Sequence, residues 1–97
     1  MRFEFDWDPA KADSNRRKHG VAFEDAMGVF ADPLALSRLD EESGQGEERW
    51  VTIGRNTVSN LLLVVHSWIE LSEQRAAIRI MSVRRPTRRE VSQYEEG

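Results

Sequence analysis

The segment from Leu61 to Ile69 constrains the fold more than any other part of the chain, because it is apolar almost throughout. An apolar run without polar alternation predicts a central strand of a sheet that is covered on both faces. Its uninterrupted apolar part, Leu61–Val65, is far too short to span a bilayer. We therefore expect a sheet with other elements packed against it.

Two elements are predicted at the N-terminus. Apolar and charged residues alternate between positions 2 and 7, which is the period of a half-buried strand. Asp8 and Pro9 then suit the N-cap and first position of a helix that runs to about His19, with Gly20 after its end. Because this helix has almost no apolar face, we expect it on the surface, held mainly by its ends.

The rest of the chain predicts two more helices and four more strands. A second helix is expected at Phe23–Ala31, with an apolar stripe formed by Phe23, Ala26, Met27 and Phe30. Thr87 and Glu90 form a capping box that opens a short terminal helix through about Tyr94. Besides the central strand, strands are expected at Leu34–Leu39, Arg49–Arg55 and Ala76–Arg84, with turns at 56–60 and 71–73. The prediction is an α+β fold in one domain, residues 1–97, with a small, mostly antiparallel sheet and the order β-α-α-β-β-β-β-α.

Charge is distributed unevenly along the chain. Six arginines and no acid lie between Gln74 and Arg89, although the whole chain has 14 Lys and Arg against 17 Asp and Glu. The other eight basic residues therefore stand against all 17 acids, several of which gather between Asp40 and Glu48. Such a separation indicates a phosphate-facing surface and a solvated acidic loop. Ion pairing of the arginines with acids across the surface explains the same totals equally well.

Several kinds of chemistry are excluded or not indicated. The chain has no cysteine, which excludes disulfides and thiolate metal sites. Its N-terminus lacks the apolar segment of a signal peptide, so we expect a cytoplasmic protein. His19 and His66 are too far apart to form a metal motif, and we expect neither a metal nor a cofactor. No glycine loop for phosphates, serine elbow or helix-turn-helix signature occurs.

The predicted strand Ala76–Arg84 is the strongest indication of function. Side-chain alternation predicts two faces, with Ile78, Ile80, Ser82 and Arg84 on one and Arg79, Met81, Val83 and Arg85 on the other. A guanidinium group donates two parallel hydrogen bonds to phosphate and stays charged at any working pH. Arg79 and Arg84 therefore suit the stabilisation of charge on a scissile phosphate. The alternative is a structural ion pair on each face, formed with Glu4, Asp6 or Glu24.

Five other residues allow two interpretations each. His66 is suited to general acid or base catalysis, but a lone histidine on an apolar face is also typical of a hydrogen-bonded core. His19 is either a cation at a helix end or part of a site. Arg88 and Arg89 fall in a first helical turn, where the helix dipole disfavours them, which fits either a bound ligand or a solvated helix end. Trp68 could stack on RNA or pack.

Several short motifs follow one another along nearly the whole chain. They are Phe5-Asp6-Trp7-Asp8-Pro9-x-Lys11, Asn15-x-x-Lys18-His19-Gly20-Val21-x-Phe23-Glu24-Asp25-Ala26, Glu48-Arg49-Trp50-x-x-Ile53-Gly54, Val64-Val65-His66, Ile78-Arg79-Ile80-x-Ser82-x-Arg84-Arg85 and Glu90-x-x-x-Tyr94. As an ordered set they resemble the BrnT toxins of bacterial type II toxin–antitoxin pairs.

The resemblance implies a RelE-like fold and a ribonuclease that cleaves RNA and arrests translation. Because the sequence has many arginines suited to phosphate and no cluster of metal ligands, we expect an endoribonuclease that is metal-independent and needs no cofactor. It also implies neutralisation by a BrnA-type antitoxin with a ribbon-helix-helix domain, in a heterotetramer. Such a complex would bind DNA only through the antitoxin and would repress its own operon. No association with a membrane is expected.

The positions that match the family also indicate the site. The catalytic candidates are Lys18, His19, Arg49, His66, Arg79, Ser82 and Arg84, and the RNA-binding candidates are Arg85, Arg88 and Arg89. Three positions depart from the family pattern. Ala22 stands where serine is usual, which removes a helix N-cap worth about 1 kcal/mol. Val83 and Pro86 stand where alanines are usual.

The mechanism we hypothesise is attack of the RNA 2′-OH on the adjacent phosphate, which yields a 2′,3′-cyclic phosphate and a free 5′-OH. His66 or His19 would accept the 2′ proton. Arg79, Arg84 and Lys18 would stabilise the pentacoordinate phosphorane. Two other functions fit the same sequence. One is a binding module without catalysis that acts with its antitoxin in operon repression, and the other is a structural domain that pairs with itself.

Overall fold

The computed structural model describes residues 1–40 and 48–97. This part of the chain forms six strands, two α-helices and one 3₁₀ helix. In chain order they are β1 (Arg2–Asp6), α1 (Pro9–His19), the 3₁₀ helix η1 (Phe23–Ala31), β2 (Leu36–Asp40), β3 (Arg49–Arg55), β4 (Leu61–His66), β5 (Ile69–Ser72), β6 (Arg75–Arg84) and α2 (Arg88–Glu96). The predicted α+β class is confirmed. Most of the predicted acidic loop, residues 41–47, lies outside the described residues.

The strands form one sheet in the order β1-β6-β4-β3-β2, and β5 also pairs with β6. All pairs are antiparallel except β1 with β6, which confirms a mostly antiparallel sheet. The predicted strand Leu61–Ile69 is two strands that follow each other along one side of β6 and are joined at Ser67 and Trp68. The predicted order lacks β5, whose residues are all exposed and so show no burial pattern. The chain turns at 73–74, later than predicted.

The core lies between the sheet and the elements α1 and η1. Its buried side chains are Val21, Phe23, Ala26, Val29, Leu62, Val64, Ile78, Ile80 and Val83. Phe3, Phe5 and Trp7 pack against this cluster, as their alternation predicts. We call this side of the sheet the helical face and the opposite side the open face, where α2 lies against β3 and reaches Arg84 of β6 through Glu90. Within residues 1–40 and 48–97 no helix has the length and apolar character needed to cross a membrane.

The second helix, η1, is a 3₁₀ helix and not the α-helix that was predicted. Its buried residues Phe23, Ala26 and Val29 recur at every third position, which is the period of a 3₁₀ helix. The predicted α-helical stripe placed Met27 in the core, but Met27 is 38% exposed. Ala22, at the N-cap, makes no side-chain capping bond, as expected from the missing serine.

Strand β6 contains one residue more than its pairing with β4 requires. Val65 pairs with Ser82 and the next residue of β4, His66, pairs with Ile80, so Met81 has no partner in β4. An extra residue of this kind is a β-bulge, and it changes which way the following side chains point.

The bulge makes the predicted faces of β6 wrong beyond Met81. Alternation placed Ser82 and Arg84 on the face of Ile78, but it is Val83 that joins Ile78 in the buried cluster. Arg84 accordingly lies on the open face with the side chains that point away from the core. The alternation rule assumes that successive side chains of a strand always point to opposite faces. It therefore cannot detect an inserted residue, which interrupts this order.

Helix α1 begins and ends where the sequence predicts. The Asp8 side chain accepts the Ala10 N–H at the first turn, and Gly20 ends the helix with φ of 72°. This left-handed backbone conformation favours glycine because it has no Cβ. The predicted surface position is also confirmed, since Asn15 is the buried residue of the helix.

Asn15 makes four hydrogen bonds, three that hold α1 to β6 of the sheet and one to the segment that follows α1. Its Nδ2 donates to the carbonyls of Val83 at 2.8 Å and Val21 at 3.2 Å. Its Oδ1 accepts from the Val83 N–H at 3.1 Å and from the Ser82 hydroxyl at 3.3 Å. Pairing with β1 ends at Arg79, so beyond that residue this edge of β6 has no neighbouring strand. The Asn15 amide supplies the donor and acceptor that a strand would have supplied.

The substitution Asn15→Ala should destabilise the protein strongly. It leaves the buried N–H and C=O of Val83 without partners, which we expect to lower the free energy of unfolding by about 2–4 kcal/mol. Urea denaturation followed by circular dichroism measures this change. Ser14→Ala, at the exposed neighbouring position, is the control and should change stability by less than about 0.5 kcal/mol. Equal stability of the two variants would contradict the role of Asn15.

Candidate functional site

The predicted site residues lie in three regions of the molecule. Arg79 and Arg49 lie on the open face of the sheet. Ser82 and Arg84 lie towards the end of β6, where Asn15 of α1 binds, and the exposed Arg85, Arg88 and Arg89 follow them in the chain; Lys18 and His19 end α1. His66 lies in the core at 1% exposure. The fold therefore does not bring all of the candidates together at one point.

A cleft of about 390 Å³ opens beside Arg79 on the open face. Its lining residues are Glu4, Phe5, Asp6, Ser67, Ile69, Ala77 and Arg79. Nη1 of Arg79 donates to Oδ2 of Asp6 at 2.7 Å, and the two side chains are 47% and 66% exposed. This is one of the ion pairs that the sequence allowed for Arg79. Because a guanidinium has five N–H donors, most of them stay available to a ligand in the cleft.

Continuing the strand register by one residue places Arg79, Ser67 and Arg49 side by side on three neighbouring segments of the open face, although Arg49 does not itself line the cleft. The Ser67 N–H donates to the Arg79 carbonyl at 2.9 Å. Trp50 pairs with His66, and Arg49 and Ser67 are the adjacent residues along the same two segments. Neighbouring strands are about 4.8 Å apart, so the Cα atoms of the two arginines lie about 10 Å apart with Ser67 between them. Side chains of this length can reach one phosphate group between them.

His66 has the contacts of a core histidine. Its Nδ1 lies 2.9 Å from the carbonyl of Ser67, which can only accept, so Nδ1 carries the proton. Its Nε2 therefore accepts from the Thr52 hydroxyl at 2.7 Å, and Thr52 in turn accepts from the Ser37 hydroxyl at 2.7 Å. Burial lowers the pKa of His66 and keeps the ring neutral. Phe30 packs edge-on against the ring at 4.8 Å. Both nitrogens are thus occupied and shielded from solvent.

Arg84 forms an ion pair with Glu90 and not with any of the acids considered from the sequence. Its Nη1 and Nη2 donate to the two carboxylate oxygens at 2.8 and 2.9 Å, which is the bidentate geometry of a strong pair. Glu90 also accepts the Thr87 N–H and so completes the predicted capping box of α2. Hydrogen bonding to Arg84 lowers the pKa of Glu90 to about 2. The pair fixes the start of α2 to the end of β6.

Half of the arginines in the arginine-rich segment are therefore paired in three dimensions. Besides Arg79 and Arg84, Arg75 forms an ion pair with Glu4 of β1. Within residues 1–40 and 48–97, the cations without an ion pair in this segment are Arg85, Arg88 and Arg89. We call these three the α2 tip. Both interpretations of the charge totals thus apply, each to a different part of the segment.

Lys18 and His19 lie beside the end of β6. Asn15, which binds Ser82, is one helical turn before His19, so the two residues at the end of α1 lie about 5–6 Å further along the helix. In the described part of the chain, neither side chain has a hydrogen bond or ion pair with the sheet. Neither residue lines the cleft at Arg79.

Two residues of the cleft were not among the catalytic candidates of the sequence. Asp6 was considered only as an ion-pair partner, and Ser67 was not singled out. A serine that interrupts an apolar strand is a signal that could have indicated Ser67. No comparable signal exists for Asp6, because acids alternate with apolar residues throughout β1. Among the described residues, no group of three or more His, Asp or Glu is placed to hold a metal.

The fold and the cleft define a small α+β protein that presents arginines on an open sheet face. A family model described as "Ribonuclease toxin, BrnT, of type II toxin-antitoxin system" matches residues 7–90. The chain therefore belongs to the BrnT family of ribonuclease toxins of type II toxin–antitoxin systems, as its motifs indicate.

The fold is similar to that of a solved member of this family. The crystal structure of the Brucella abortus ribonuclease toxin BrnT matches with a TM-score of 0.56 and 18% identity, over 91% of this chain and 100% of that chain. At this identity the likeness concerns the fold alone. The curated proteins include no match to the chain.

The substitution Glu90→Gln should weaken α2 in a pH-dependent way. A carboxyl whose folded-state pKa is lowered stabilises the fold above its unfolded pKa, about 4.5, and this contribution is lost as the pH falls towards about 2. At neutral pH we expect a loss of about 2 kcal/mol, discounted for the partial exposure of Arg84. Glutamine retains the capping box, so the loss reports on the ion pair.

Urea unfolding at several pH values measures this effect. The difference in stability between the wild type and Glu90→Gln should shrink between about pH 4.5 and about pH 2. Glu95→Gln, an exposed position of the same helix, is the control and should match the wild type throughout. A difference that is as large in acid as at neutral pH would contradict the assignment.

Proposed function

We propose that this chain is a metal-independent endoribonuclease toxin whose reaction takes place in the cleft beside Arg79. The observation that carries the proposal is the half-exposed Arg79 guanidinium, held by its strand at the edge of a cleft of about 390 Å³. A cation fixed in this way can stabilise charge that develops on a phosphate without first reorganising. Membership of a ribonuclease toxin family supports the same assignment.

The reaction we propose is transesterification of the RNA backbone. The 2′-oxygen forms a bond to the adjacent phosphorus, the bond from phosphorus to the 5′-oxygen breaks, and the 5′-oxygen takes a proton from solvent. Arg79 donates hydrogen bonds to the non-bridging oxygens, where negative charge grows in the transition state. The products are a 2′,3′-cyclic phosphate and a 5′-OH.

We assign the 2′ proton to Asp6 and not to either histidine. Asp6 lies 2.7 Å from Arg79, so a phosphate on the free N–H groups of the same guanidinium brings its neighbouring 2′-OH close to this carboxylate. His66 is buried and both of its ring nitrogens are hydrogen-bonded. His19 ends α1 and does not line the cleft.

The other basic candidates extend the surface for the RNA backbone. We propose that the α2 tip and Lys18 bind phosphates that flank the cleaved one, because these exposed cations lie around the end of β6. Arg84 acts indirectly, since its pair with Glu90 fixes the position of the tip. We further propose that cleavage arrests translation in the cytoplasm, and that a BrnA-type antitoxin neutralises the toxin and carries the DNA-binding function.

A second candidate is a binding module that has the same fold and antitoxin but no catalysis. The observation that favours it is the pairing of Arg75, Arg79 and Arg84 with carboxylates, which a purely structural role also predicts. Such a protein would act with its antitoxin in operon repression. The two functions differ in what induced expression does to a cell.

Induced expression of the wild type should arrest growth, and coexpression of the antitoxin from the adjacent gene should restore it. The purified protein should cleave RNA in the presence of EDTA and leave 2′,3′-cyclic phosphate ends. Arg79→Ala should lower the cleavage rate by about 10²–10³-fold and abolish the arrest, because it removes a donor to the transition state. Arg75→Ala is the matched control, since Arg75 forms the same kind of ion pair on the same strand.

Three outcomes would oppose this proposal. Harmless expression of folded wild-type protein would support the binding module. Loss of cleavage in EDTA would show that a metal takes part. Equal activity of Arg79→Ala and Arg75→Ala would place the reaction outside the cleft.

The substitution Asp6→Asn should separate cleavage from binding. It preserves the size of the side chain but removes the carboxylate, and we expect cleavage to slow by about 10²–10⁴-fold. RNA affinity should stay the same or rise, because Arg79 loses an anion that competes with phosphate. Single-turnover cleavage and filter binding measure the two effects. Glu4→Gln, at the other carboxylate of β1 in the cleft, is the control, and equal cleavage by both variants would place the base elsewhere.

A further inference from the structure

We propose that Ser67 binds the scissile phosphate, with its hydroxyl donating a hydrogen bond to a non-bridging oxygen between Arg79 and Arg49. The site would take a phosphodiester, and it deepens the proposed function by adding a neutral donor to the two cations. The proposal rests in part on that function, but its binding step can be tested without cleavage.

The first support is that the Ser67 hydroxyl is not used by the part of the chain that the structure describes. Ser67 is only 6% exposed, yet its hydroxyl has no hydrogen bond to any described residue. In the same part of the chain, no side-chain oxygen or nitrogen is both fully buried and unpaired. The hydroxyl oxygen of Ser67 must therefore reach solvent, and the opening that this residue lines is the cleft. Polar groups of buried residues usually have a partner, and here a ligand can supply it.

The second support is that both backbone groups of Ser67 are fixed. Its N–H donates to the Arg79 carbonyl at 2.9 Å, and its own carbonyl accepts from Nδ1 of His66 at 2.9 Å. The backbone that carries the hydroxyl is thus fixed before any ligand arrives, which favours electrostatic stabilisation of a transition state. This arrangement also gives His66 a role as a positioning residue, because its ring anchors Ser67 from within the core.

The third support is the position of Ser67 between the two arginines. Arg79 accepts the Ser67 N–H across the pairing with β6, and extending the pairing of Trp50 with His66 by one residue places Arg49 opposite Ser67 on the side of β3. Arg49 is exposed at the end of its strand. A phosphate above Ser67 would receive a hydroxyl donor from below and a guanidinium from each side. Ala77 and Ile69 complete this part of the cleft with apolar surface, so the charged oxygens of a ligand are directed to the donors.

The experiment compares Ser67→Ala with Ser92→Ala, an exposed serine of α2. Inorganic phosphate is the probe for binding, titrated by NMR, and single-turnover RNA cleavage is the probe for activity. Ser67→Ala should weaken phosphate binding about 3- to 10-fold and slow cleavage about 10- to 100-fold at saturating RNA. Ser92→Ala should match the wild type in both. Ser67→Thr, which retains the hydroxyl, should recover a large part of the activity.

Each outcome decides between the proposals. If Ser67→Ala unfolds, Ser67→Cys fills the same space with a much weaker donor and should show the same losses. Phosphate binding and cleavage at the wild-type level in a folded Ser67→Ala or Ser67→Cys variant would overturn the assignment of Ser67. A wild type that cleaves no RNA, but loses phosphate affinity on Ser67→Ala, would overturn the ribonuclease function and leave the phosphate site intact.

Discussion

The amide of Asn15 substitutes for a strand at the edge of β6 where β1 ends, and the position of α1 depends on it. An almost wholly polar helix gains little from apolar burial, so hydrogen bonds to Val83, Val21 and Ser82 must hold it. Those bonds also satisfy backbone groups that the ending of β1 would leave unpaired. Because His19 ends the same helix, its position relative to β6 is set by this contact.

Along the chain the arginine-rich segment contains no acid, but in the folded protein acids from other elements pair with some of its arginines. Two of its six arginines pair with acids of β1 and one with an acid of α2, so half of its positive charge is neutralised. What distinguishes Arg79 from Arg75 is its place beside Ser67, in a cleft large enough for part of a nucleotide. The cations that stay unpaired form the α2 tip. The geometry therefore separates a proposed reaction site from a proposed backbone-binding surface, which the charge totals cannot do.

The sequence predictions are right where a feature depends on interactions between neighbouring residues. They are wrong where it depends on contacts between distant segments. The bounds of α1 and β3 are as predicted, because caps and turns act between neighbouring residues. The predicted helix type of η1 is wrong, because a short apolar stripe fits both an α-helix and a 3₁₀ helix. Packing against the sheet selects between the two. The faces of β6 beyond Met81 are wrong because a bulge exists only in the pairing of two strands. For His66 the sequence left open either catalysis or a place in a hydrogen-bonded core. Its contacts in the structure are those of a core residue.

By itself the sequence determined the α+β class, the limits of several elements and, through the order of its motifs, the family. These properties depend on local periodicity, capping and residue identity, all of which can be read along one chain. Only the tertiary structure decided which side chains meet. Arg79 and Asp6 form a pair across 73 positions, and Ser67 comes to lie between Arg79 and Arg49. Such contacts depend on strand order and register, which arise from pairing between segments that are distant in the sequence.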